Sequence, residues 1–193
     1  MTQSPPRVDG RTARSERTRN AIVDAHLRLI REGDLRPTAD RIARQAGVSL
    51  RALWSHFADM EALFAASGQR VLDTQDAAHR PIRPGLPLPA RIDAFCRQRA
   101  RLLEQLAPAA RASALKEPFS EVLLHYRRTH VARVRDELAA LFAAEIDGDR
   151  ELLDALTAVC LWPAWSTWRD GMDLPVTAAR TALTRTVAAL LTS

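Results

Sequence analysis

The chain has 193 residues, 47% of them hydrophobic and 26% charged, with a formal net charge of +5. That length can hold one domain or two small ones around a real core. Two cysteines, Cys96 and Cys160, make neither a disulfide framework nor a zinc pattern and point to a reducing compartment. No apolar run reaches the roughly 18 residues of a membrane span, and the N-terminus lacks the apolar centre of a signal peptide, so a cytoplasmic protein is expected.

Residues 1–14 carry Pro, Gly and charge with almost no apolar side chain, and are expected to be a disordered basic arm. A first helix is predicted from about Ser15 to Arg31, with Ile22, Ala25, Leu29 and Ile30 at helical spacing and Gly33 beyond its end. The run Pro37–Phe57 then reads as two short helices around a tight turn. Thr38 can cap the first, Gly47 supplies positive φ at the turn, and Ser49 can cap the second. Leu53 and Phe57 hold the second helix to the core at i, i+4 spacing, leaving Leu50, Arg51 and Trp54 facing outward. This is the layout of a helix-turn-helix, and equally of a plain αα-hairpin. Asp59 caps a longer helix to about Ala78. The segment Pro81–Pro89, with four prolines, is a loop.

Pro89 can open the next helix, which carries Ile92, Phe95, Cys96, Leu102, Leu103 and Leu106 until Pro108 breaks or kinks it. Ser120 can cap a long helix to Ile146, with Phe119 stapled against Leu124. Gly148 ends that helix and Asp149 caps another holding Leu153, Leu156, Val159, Trp162 and Trp165, in which Pro163 predicts a kink or an early end. After a turn at Gly171–Pro175, Pro175 opens the last helix. The expectation is an all-α protein of about nine helices: residues 1–14 an arm, 15–58 a helix-turn-helix domain, and 59–193 a second helical domain.

Charge separates the two readings of Pro37–Phe57. Residues 1–57 hold eleven Arg against six acids, whereas the remaining 17 basic residues are matched by 17 acidic ones. All the excess positive charge lies with the candidate DNA reader, where phosphates would use it. The pieces Arg19–Gly33, Arg41–Ser49 (RIARQAGVS), Leu53–Phe57 (LWSHF) and Glu61–Phe64 resemble the N-terminal domain of the TetR family of bacterial transcriptional regulators. The resemblance covers about a quarter of the chain. Trp54 stands where that family has Tyr, Arg51 where it often has Gly, Met60 in place of a common Lys, and His26 in place of a small residue. The indole N–H of Trp54 is a donor and can take over a phosphate contact; Met60 cannot.

The resemblance implies a homodimer that binds a double-stranded, pseudo-palindromic operator, with an effector cavity in the second domain and a dimer interface on the last two helices. The expected DNA-binding residues are Arg14, Arg17, Thr38, Ser49, Leu50, Arg51, Trp54 and His56, with Arg51 suited to guanine and Arg7, Arg11 and Arg14 of the arm suited to a minor groove or phosphates. Leu153, Leu156, Val159, Trp162, Leu183, Val187 and Leu190 are expected to meet the partner subunit. Cys96, Tyr126, His130 and Trp162 are the expected effector-pocket residues; His130 interrupts an apolar stripe and reads either as a satisfied core histidine or as a polar anchor for a hydrophobic or aromatic ligand.

No catalytic constellation, phosphate-binding glycine loop or cofactor motif occurs, so no enzyme, cofactor or metal is expected. His125 and His130 stand about 140° apart around a helix and share no face. The expected function is a ligand-responsive transcriptional repressor; the alternative is a helical small-molecule-binding protein that no longer reads specific DNA.

Overall fold

The computed structural model describes residues 10–192, and among them the chain forms ten α-helices and no strand. The first three are α1 (Gly10–Arg31), α2 (Ala39–Ala46) and α3 (Leu50–His56). Ile22, Val23, Leu29, Ile42, Leu53 and Phe57 bury their side chains in one cluster, closed by Leu63 of α4 (Met60–Ala78). α4 therefore belongs to this cluster at its start and leaves it further on.

α1 starts at Gly10, so residues 10–14 are helical rather than disordered. Apolar periodicity is silent there, because these side chains are almost all exposed. Once the turn around Ile22 is packed, each added residue extends the helix with one further hydrogen bond and no new nucleation cost. Residues 1–9 of the expected arm, Arg7 among them, lie outside the described residues.

The second cluster is built from α5 (Leu88–Ala114), α6 (Glu121–Leu141), α7 (Ala143–Ile146), α8 (Arg150–Val159), α9 (Trp162–Ser166) and α10 (Val176–Leu191). Phe95, Leu103, Leu138, Phe142, Leu156, Trp165, Leu183 and Val187 are its fully buried centre. Three expected features come out differently. α5 runs through Pro108 to Ala114, losing one intrahelical hydrogen bond without stopping. The long helix from Ser120 stops at Leu141, because Phe142 leaves helical geometry (φ −117°, ψ 29°) to bury its ring edge-on against Phe95. The freed Leu141 carbonyl accepts from Arg91 Nη1 at 2.8 Å, and Arg91 also pairs with Glu145 of α7. Phe119 is 89% exposed, so it staples nothing.

Pro163 does produce an early end: α8 closes at Val159 and Pro163 sits in the first turn of α9. A π-helical turn, Thr167–Gly171, follows, and Pro175 stands one residue ahead of α10 as its N-cap. Leu156, Leu183 and Val187 are buried within the chain itself, so they belong to its own core and cannot be surface for a partner. Leu153, Val159, Trp162 and Leu190 are only partly buried.

Candidate DNA interface and effector cavity

The α2–α3 unit is fixed by caps at every junction. The Thr38 hydroxyl accepts from Arg41 N–H at 3.3 Å and the Ser49 hydroxyl from Ala52 N–H at 3.1 Å. Gly47 adopts φ 69°, and its N–H and that of Val48 return to Arg44 and Ala43 carbonyls, closing α2. Leu53, wholly buried, and Phe57 then anchor α3 on one side. On the other side Leu50 and Trp54 remain 41% and 39% exposed, with exposed Arg51 between them.

Each expected DNA-binding residue has a definite position. Thr38 and Ser49 are exposed; as caps they use an acceptor lone pair and keep the O–H free to donate. Arg14 and Arg17 lie exposed along α1, and His56 is half-buried in the last turn of α3. Among the cations nearby, Arg41 pairs with Asp34 at 2.8 Å, Arg44 with Asp40 at 2.7 Å, and Arg19 lies 4.8 Å over the Phe57 ring. Arg14, Arg17 and Arg51 have no ion pair among the described residues, so their charges are available for phosphates or bases.

A cavity of about 260 Å³ lies between α1, α4, α5, α6 and α9. Tyr126, His130 and Trp162 line it among mainly apolar neighbours such as Ile30, Val71, Leu106 and Leu123. Cys96 does not: it is buried on α5 against α10, hydrogen-bonded to Thr184, and burial pushes its thiol up to about 11. Tyr126 lies flat against α4, and a Cβ at Gly68 would stand 2.6–2.9 Å from its ring atoms.

His130 is held by side chains, not by backbone. Nδ1 is 3.1 Å from Gln75 Oε1 and Nε2 is 2.9 Å from Arg99 Nη2. The guanidinium can only donate, so Nε2 accepts, Nδ1 carries the proton, and the ring is neutral. Burial first, then the Arg99 and Arg133 charges, lower its pKa to about 3. A second neutral histidine, His26 of α1, lies on the same cavity wall with Nδ1 2.8 Å from Ser67 Oγ of α4; burial, then Lys116, lowers its pKa to about 4.

Arg99, Gln75, His26 and Ser67 were missed as site residues. The usable signal was Arg99 in the apolar stripe Ile92–Cys96–Leu103 and His26 in the stripe Ile22–Leu29, polar groups at positions that periodicity reserves for the core.

Residues 22–67 match the family model described as bacterial regulatory proteins, tetR family. The N-terminal domain belongs to the tetR family. The match includes Thr38, Ser49, Leu50, Arg51, Trp54 and His56 and stops short of Arg14 and Arg17. This tetR-family domain is the DNA-binding domain of a transcription regulator. The fold of the whole chain is similar to that of a TetR transcription regulator from Haloarcula marismortui ATCC 43049 (TM-score 0.68, 20% identity, 90% of this chain and 98% of that one). It is similar also to a transcriptional regulator from Rhodococcus sp. Rha1 (TM-score 0.65, 21% identity, 92% and 95%). No curated protein matches the chain. Among the described residues no helix is long and apolar enough to cross a membrane, and no three His, Cys, Asp or Glu side chains gather as a metal site.

Proposed function

We propose that this protein is a ligand-responsive transcriptional repressor of the cytoplasm that binds a pseudo-palindromic operator as a homodimer. Residues up to 58 read DNA; those from 59 onward bind the effector and join the two subunits. The observation that carries this reading is the outward face of α3. Its Leu50–Arg51–Trp54 surface is capped by Ser49 and exposed at the N-terminal part of the second helix, the part that a helix-turn-helix presents to base edges, and it includes an Arg without an ion pair among the described residues. Arg51 reads a base, and Thr38, Trp54, His56, Arg14 and Arg17 contact the backbone.

The effector is a hydrophobic or aromatic molecule with one or two hydrogen-bonding groups, seated in the 260 Å³ cavity against Tyr126, His130 and Trp162. His26, Leu27 and Ile30 of α1 share that wall with α4, so filling the cavity acts on the packing of the reader against α4. Release from DNA follows if the effector binds the DNA-incompetent arrangement more tightly. The subunits meet through the outer faces of α8 and α10, where Leu153 and Val159 keep partly exposed apolar surface.

The test is a salt titration of the full chain on a duplex selected from a random pool and on unselected duplex. Tight binding to the selected site, with a dyad in its sequence and a sedimentation mass of two chains, is expected. Equal affinity for both duplexes at every salt concentration overturns specific reading and leaves the small-molecule-binding alternative.

A further inference from the structure

Gln75 and His130 have a second side. Beyond them, between α4, α5 and α6 and beneath the loop Pro81–Pro87, lies another cavity, of about 500 Å³. Ile82, Leu102, Val134 and Leu141 give it apolar walls, and Arg99 stands among them. The four formal charges of the wall sum to zero, so the overall field selects neither sign. Local pairing does. Asp76 is taken by Arg133 at 2.7 Å, whereas Glu137 accepts from Gln98 Nε2 at 3.4 Å and lies 3.6 Å from His79 Nδ1, with which it pairs when that ring is protonated.

Arg99 has no such partner. It is 3% exposed, yet its hydrogen bonds run only to the Cys160 carbonyl from Nε (2.7 Å) and to His130 from Nη2 (2.9 Å). Nη1 makes none, and no carboxylate contacts the guanidinium among the described residues; Glu137 acts on it only through space. The Cys160 carbonyl is the C-terminal end of α8, whose dipole offsets part of the charge. A buried cation without a contacting anion is otherwise costly. We propose that this second cavity is a binding site for an organic monocarboxylate, whose head group pairs with Arg99 and whose apolar chain lies along Ile82, Leu102, Val134 and Leu141. Arg–carboxylate pairing is charge-assisted and can be two-pronged, which fixes the head group while the walls take the chain. Gln75 and His130 line both cavities, so occupation of this one is transmitted to the apolar one through the Arg99–His130–Gln75 chain.

The experiment is calorimetric titration of the full chain with hexanoate, hexanamide and hexylamine. Hexanoate is expected to bind about 10-fold or more tightly than hexanamide, the usual scale for a hydrogen bond to a charged group, with hexylamine weakest. Arg99→Met should remove that preference and leave hexanamide unchanged. Should that variant fail to fold, Ala140→Trp, at an exposed position on the rim, fills the cavity and should abolish hexanoate binding. No hexanoate binding at millimolar concentration, equal binding of acid and amide, or binding that survives Ala140→Trp overturns the site. None of these measurements involves DNA, so the site can fail while the repressor reading stands.

Discussion

Mild acid should destabilise this protein through two histidines. In the unfolded chain each titrates near 6.5, whereas His26 and His130 in the fold are lowered to about 4 and about 3, mainly by burial. Below 6.5 the unfolded chain therefore binds protons that the folded one refuses, and stability falls with pH until the folded values are reached. Between about pH 7 and about pH 5 each histidine should remove about 2 kcal/mol, or about 4 kcal/mol together, a large part of a typical 5–15 kcal/mol. Carboxylates held low by partners, such as Glu145 by Arg91, lose their contribution only further down, below the ordinary carboxylate range, so this window belongs to the histidines. Urea unfolding followed by circular dichroism, at one fixed protein concentration, measures the effect. His26→Gln and His130→Gln should each remove about half of the pH dependence. A wild-type stability that is flat across the window, or a slope unchanged in the double variant, would refute the assignment of both rings as buried and neutral.

Gly68→Ala should destabilise by about 1–2 kcal/mol despite the better helix propensity of Ala, because its Cβ meets the Tyr126 ring. With Tyr126→Ala in the background the same change should become stabilising; thermal melts of the four proteins decide it. Ser49→Ala removes the α3 cap and should cost about 1 kcal/mol of stability, read from the urea midpoint. Arg51→Ala should lose roughly 1–3 kcal/mol on a selected site and relax preference at one position per half-site. A uniform loss on all sequences would make Arg51 a phosphate contact instead.

The DNA reader was legible because its signals are local. Thr38, Gly47, Ser49 and Asp59 each declare a helix end within three residues, and each cap forms as spacing predicts. Asp149 does the same for α8. What sequence order hides is any choice settled by distant partners. Nothing around Phe142 looks like a helix stop; the stop comes from Phe95 on another helix. Pro108 looks like one and is overridden by packing along α5. The cluster Gln75–Arg99–His130 draws one residue from each of three helices, so no spacing rule could assemble it, and Cys96, one turn before Arg99 on the same stripe of α5, packs into the core towards α10 instead.

The wall of the 260 Å³ cavity includes Leu35 and Pro37 of the segment entering α2, as well as three residues of α1. The point where the chain passes from the helix-turn-helix domain to the second helical domain is therefore not a seam along which the protein can be cut. A chimera that grafts a different N-terminal domain onto residues 59–193 would inherit a foreign panel in this cavity, and with it an altered cavity shape. Transplanting this domain elsewhere would carry away part of the cavity wall. Exchange of parts between such regulators has to be planned around the cavity rather than around the helix-turn-helix.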